Sequence, residues 1–148
     1  MTDLSPDARR IVVGIDGSES SMQALRWALR QATATGATVQ AVGSWEWPAT
    51  AAAGGVMPYL DLAGTTQQAV QDAVSKATAG VGFPSETVQT RVVEGHPSRV
   101  LVEAAHGAEL LVVGSRGHGT FSGVLLGSVG LHCASHAPCP VVIVRDAA

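Results

Sequence analysis

The chain has 148 residues, 46% of them apolar and 14% charged. This composition excludes an intrinsically disordered chain and is enough for one hydrophobic core without disulfides or a structural metal. Nine Lys and Arg against twelve Asp and Glu give a formal charge of −3, and only 4% of residues are aromatic. A general nucleic-acid binder, which uses a basic surface or stacking platforms, is therefore disfavoured. Glycine is abundant, at 17 residues. It adds nothing to a core, so its placement carries information.

Met1 to Arg10 is polar, with no apolar stretch after a basic one, so no secretory leader is expected. No unbroken apolar run exceeds about five residues, against the ~20 that a membrane helix needs. The expectation is a cytoplasmic protein without membrane association, with residues 1–9 as a flexible tail and 10–146 as a single domain. Cys133 and Cys139 fit neither a zinc knuckle nor a redox C-x-x-C pair, and two unpaired thiols are expected.

The first element is a short β-branched run, Ile11-Val12-Val13-Gly14-Ile15, with the character of a strand buried on both faces. Asp16-Gly17-Ser18 ends it, and Ser18 is placed to cap a helix whose apolar face is Met22, Leu25, Leu29 and Ala32. Gly36 stops that helix. Ala37 to Trp45 reads as a second strand. Glu46 to Gly64, rich in Pro, Ala and Gly, reads as a long surface loop.

A second helix starts at Leu62 or Thr65 and buries Val70, Ala73, Val74, Ala77 and Val81, with Gly80, Gly82 and Pro84 ending it. Thr87 to Glu94 alternates as a third strand. Pro97 sits at the first position of a short helix through Val100, Leu101, Ala104 and Ala105, closed by Gly107. Leu110 to Val113 is a fourth buried strand, Ser128 to His136 a last helix, and Val141 to Val144 a fifth strand. Strands separated by helices imply a parallel sheet covered on both faces. Ligands of such α/β sheets bind beyond the carboxyl ends of the strands.

The segment Gly114 to Gly127 holds five glycines in 14 residues and follows the fourth strand. Bare backbone lets N–H groups converge on an anion, and the helix opened by Gly127-Ser128 offers its positive end to a phosphate. Ser128 adds a hydroxyl and Arg116 a cation. The segment is neither a Walker A loop nor a complete G-x-G-x-x-G turn. His118 lies within it, and both ligand contact and simple solvation fit that position.

These residues resemble the universal stress protein family. The family's G-2x-G-9x-G-(S/T) pattern is matched by Gly114, Gly117, Gly127 and Ser128 without a gap. Val13-Gly14-Ile15-Asp16-Gly17-Ser18 and His136-Ala137-Pro138-Cys139-Pro140-Val141 to Val144 are similar to its opening and closing segments. The resemblance runs from about Arg10 to Arg145. It implies an open five-stranded parallel sheet in the order 3-2-1-4-5 with helices on both faces, a Rossmann-like fold of the adenine nucleotide alpha hydrolase type.

It further implies an ATP site with Mg²⁺ on the phosphates. Asp16 and the backbone near Gly14 would meet ribose or adenine, and the backbone near Ser44 the adenine. Gly114, Arg116, Gly117, Gly127, Ser128 and Val129 would surround ribose and phosphates. Many ATP-binding members carry Ser or Thr where this chain has Gly130, so one hydroxyl donor is missing here. The resemblance also implies a homodimer through the strand Val141 to Val144, an apolar edge that pairing would protect.

Other residues have plainer readings. His132 and His136 stand four apart with Cys133 between them, a metal-ligand spacing, yet no further ligand follows and ordinary helix-surface residues are favoured. His96-Pro97 reads as a helix entry. Trp45, Glu46 and Trp47 could stack on adenine or pack under the long loop, and packing is favoured. No catalytic residue or protein metal ligand is assigned, because no nucleophile elbow or acid–base pair is identifiable. The expected function is an ATP-dependent regulatory, stress-responsive module with an unidentified downstream protein partner. A slow ATPase or nucleotide-modifying enzyme and an interaction module with a vestigial site are the alternatives.

Overall fold

The computed structural model describes residues 9–48, 61–116 and 126–145. Within them, β1 is Arg10–Gly14, α1 Glu19–Thr35, β2 Thr38–Trp45, α2 Leu62–Val81, β3 Gln89–Glu94, α3 Pro97–Ala104, β4 Leu110–Gly114, α4 Ser128–His136 and β5 Val141–Val144. The strands form one sheet in the order β3-β2-β1-β4-β5, every pair parallel. The expected α/β architecture and strand order are therefore observed.

Side chains alternate across the sheet, so each central strand feeds two cores. Ile11, Val13, Val39, Ala41 and Val112 point to one side, where Ala24, Leu25, Ala28 and Leu29 of α1 and Val70, Ala73, Val74 and Ala77 of α2 cover them. Val12, Val42, Leu111 and Val113 point to the other, against Val100, Leu101 and Ala104 of α3 and Cys133 of α4. Ile11, Val12, Val13, Leu111 and Val112 are wholly shielded from solvent, which explains why β1 and β4 read as continuous apolar runs rather than alternating ones.

The helix starts and stops follow local chemistry. The Ser18 hydroxyl accepts the Ser21 N–H at 3.1 Å and caps α1, while Gly36 closes it with φ of 79°. Asp61 caps α2 through the Gly64 N–H, which settles its start at Leu62 rather than Thr65. Gly80 lies inside α2, and Gly82, in the left-handed region, is the residue that ends it. At α3 the cap is His96, whose Nδ1 accepts the Ser98 N–H at 3.3 Å, with Pro97 in the first turn as anticipated.

Several expected boundaries shift by a residue or two, the start of β2 to Thr38 and the end of α3 to Ala104 among them. Ile15 leaves β1, although its N–H still donates to the Val42 carbonyl at 2.8 Å. Ser85–Thr87 forms a 3-10 turn, so β3 begins at Gln89. No described helix is long and apolar enough to cross a membrane. Cys133 and Cys139 are both free thiols. Burial pushes the Cys133 thiol up to about 11 and raises that of Cys139 as well, the latter opposed by the nearby Arg10 charge and a backbone hydrogen bond from Leu111.

Candidate functional site

A cleft of about 480 Å³ opens beyond the carboxyl ends of β1, β2 and β4, within the ~300–1,000 Å³ span of small-molecule sites. Gly14, Asp16, Ser44, Gly114, Arg116, Gly127, Ser128 and Val129 all line it. These eight come from four separate stretches of sequence, and the parallel sheet brings them together. Gly117, the remaining expected site residue, and His118 lie outside the described residues.

The floor is backbone by necessity. A Cβ on Gly14 would come within 2.7 Å of Leu101 Cδ1 on α3, and one on Gly114 within 2.7 Å of the Ser20 carbonyl group on α1. At Gly114 the neighbour is helix backbone, which cannot turn aside, whereas at Gly14 it is the end of a leucine side chain. Ser20 is buried, and its hydroxyl accepts the Arg116 N–H at 3.1 Å. That bond ties the start of the glycine-rich segment to the first turn of α1.

One wall carries a carboxylate. Asp16 is exposed, and its Oδ1 accepts both the Ser18 N–H at 2.9 Å and the Ser18 hydroxyl at 2.5 Å. Those bonds orient the carboxyl group. Its Oδ2 has no partner among the described residues and remains available to accept from a hydroxyl-bearing ligand.

The opposite wall is the start of α4. Gly127 is its N-cap, with φ −70° and ψ 166°, and no side chain among the described residues caps the helix. The first N–H groups of a helix have no acceptor within it. Here those of Ser128, Val129 and Gly130 begin at residues that line the cleft. Helix N–H groups and the positive helix end give this wall the chemistry that suits an anion. Gly130 is buried there, and a Cβ on it would stand 2.7 Å from Leu126 Cδ1. The space that a side chain at position 130 would fill is thus taken by leucine.

A third wall comes from α2, which sequence reasoning missed, and from the start of α3, where Gly95 and His96 stand just after a strand and so were legible as cleft candidates. Thr65, Thr66, Ala69 and Val70 of α2 line the cleft, as do Gly95, Pro97 and Leu101 around the start of α3. The adjacent Thr65-Thr66 pair near the start of a helix is the signal that could have flagged α2, but the long preceding connection hid its approach to β2. Trp45 and Glu46 also line the cleft, and Trp45 meets Trp47 edge-on at 5.7 Å. The long loop under which the Trp45–Trp47 run was expected to pack lies largely outside the described residues. Trp45 faces the cleft, and Trp47 is 43% exposed among the described residues.

The chain matches the universal stress protein family over residues 8–145. It is 32% identical to the universal stress protein Rv2623 of Mycobacterium tuberculosis over 149 aligned residues, covering 95% of this chain and 46% of that protein. The chain thus spans about half the length of the curated relatives it matches. Among solved structures, a universal stress protein in complex with cAMP superposes with a TM-score of 0.72 at 28% identity, covering 94% of this chain and 98% of the other. The Archaeoglobus fulgidus universal stress protein in complex with dAMP superposes with a TM-score of 0.62 at 22% identity, over 91% and 96% of the two chains, and shares the fold. With the family match extending over both cores and all five strands, the chain belongs to the universal stress protein family.

Proposed function

We propose that this chain is an ATP-binding regulatory module of the cytoplasmic stress response, working as a homodimer rather than as a dedicated enzyme. The observation that carries the reading is that the N-terminus of α4, without a side-chain cap among the described residues, faces the same cleft as the Asp16 carboxylate. Ribose hydroxyls donate to a carboxylate, and phosphates accept from helix N–H groups, so the two walls suit opposite ends of one nucleotide. Arg116 adds positive charge on the phosphate side. The cAMP bound by the 28%-identical relative supports an adenine nucleotide as the ligand class.

The residues present fit such a ligand in size and chemistry. Gly14, Asp16 and Ser44 would hold the nucleoside, and Gly114, Arg116, Gly117, Gly127, Ser128 and Val129 the phosphates. Mg²⁺ would ride on the phosphates and water, because Mg²⁺ commonly keeps much of its hydration and takes few protein ligands. Edge strand β5, Val141–Val144, pairs only with β4 among the described strands, and all four residues stay half-buried. An apolar edge of this kind supports pairing with a second copy.

Calorimetric titration of Mg-ATP tests the reading, with sedimentation on the same sample reporting a dimer. Asp16→Asn keeps an acceptor for Ser18 but removes the charge. It is expected to weaken ATP binding about tenfold or more, as loss of a charge-assisted hydrogen bond does. The loss should be smaller for a ligand lacking the ribose hydroxyl concerned. No binding at millimolar nucleotide rejects the proposal, and an equal loss for ATP and its 2′- and 3′-deoxy forms rejects the role of Asp16.

A further inference from the structure

The far end of α4 carries a second arrangement that the nucleotide cleft does not use. His132 and His136 lie four positions apart, the last of them ending the helix. Residues so spaced stack on one helix face. Their imidazoles are stacked, with centroids 4.3 Å apart and planes inclined by 18°. His136 Nδ1 lies 3.1 Å from the backbone carbonyl oxygen of His132.

That contact decides the chemistry of the ring. A carbonyl oxygen only accepts, so Nδ1 of His136 carries the hydrogen, and in the neutral ring Nε2 holds the lone pair. Metal-bound histidines are commonly prepared in this way, one nitrogen donating to a carbonyl and the other facing the ion. His136 is exposed and His132 half-buried, so the pair can be reached from solvent. Cys133, between them in sequence, turns to the other side of the helix and is wholly buried in the core.

We propose that His132 and His136 form a two-nitrogen chelate for a late first-row divalent ion of the Ni²⁺, Cu²⁺ and Zn²⁺ group. Imidazole nitrogen suits these ions, whereas Mg²⁺ and Ca²⁺ take oxygen. No group of three or more His, Cys, Asp or Glu gathers among the described residues. The remaining coordination positions therefore fall to water. Closing the chelate requires both rings to leave this stack and turn one nitrogen each toward a common ion, a rearrangement of side chains within one helical turn. Neither histidine lines the nucleotide cleft, so this site stands independently of the ATP reading.

Calorimetric titration of the untagged full-length chain with NiCl₂ and ZnCl₂, with MgCl₂ as comparison, tests the assignment. Wild type is expected to take up one ion at this site, with Mg²⁺ silent. His132→Ala and His136→Ala should each weaken Ni²⁺ binding at least about tenfold, because one tethered imidazole no longer supports the other. Ni²⁺ should also raise the melting temperature of wild type more than that of either variant, since the ion favours the folded helix. Unchanged Ni²⁺ affinity in both variants overturns the proposal. Weakening by only one of the two substitutions overturns it as well, because a chelate needs both rings.

Discussion

Gly127→Glu is expected to lower ATP affinity at least about 100-fold while leaving the protein folded. Position 127 has φ −70° and ψ 166°, extended backbone that any residue adopts. The new carboxylate would stand at the N-terminus of α4, where negative charge is worth about 0.3–1 kcal/mol of helix stability. It would satisfy the very N–H groups that the phosphates need, and repel the phosphates besides. A 100-fold loss corresponds to about 2.7 kcal/mol, less than the combined worth of several charge-assisted hydrogen bonds at ~1.5–3 kcal/mol each. Calorimetry against thermal denaturation separates the two effects. Wild-type affinity in the folded variant would remove the α4 terminus from the phosphate site.

Gly114→Ala is expected to act through the fold instead, costing about 3 kcal/mol, in the upper range for overpacked sites. A Cβ there falls 2.7 Å from both the carbonyl carbon and oxygen of Ser20. Those atoms belong to the first turn of α1, which packs directly on the sheet through Ala24 and Leu25. A flexible side chain could rotate away, but a helix backbone can relieve the clash only by lifting off β4. For a domain of this size the melting temperature should fall by about 10 °C. Gly80→Ala is the matched control. Nothing lies within 4 Å of its Cβ position inside α2, so the same substitution should stabilise by about 0.5–1 kcal/mol. Equal melting temperatures for the two variants would refute the argument.

Much of this was legible in the residues, and the reasons are physical. Strands buried on both faces announce themselves as β-branched runs, as in Ile11 to Val13 and Leu110 to Val113. Helix limits were visible where a single residue sets them, as with Ser18, Gly36 and Pro97. The strand order was less accessible, because alternating β and α elements imply parallel pairing without saying which strands adjoin. That order came from the family resemblance and is seen in the sheet. Cleft-lining residues that directly follow a strand, such as Asp16, were legible from that placement alone. Thr65, Thr66 and Ala69 were not, because their approach depends on how a helix beginning 16 residues beyond β2 returns to the sheet.

The two glycines of the cleft floor have a consequence for how this pocket can change over time. Gly14 and Gly114 are approached by helices from opposite sides of the sheet, Gly14 by the Leu101 side chain and Gly114 by the Ser20 backbone, so drift is checked by folding most strictly at Gly114. The rim, at Thr65, Thr66 and Ala69 on α2 and at Trp45 and Glu46, is freer of that constraint. A library confined to those five positions should yield folded proteins with altered nucleotide selectivity, whereas one directed at the floor should yield mainly insoluble chains.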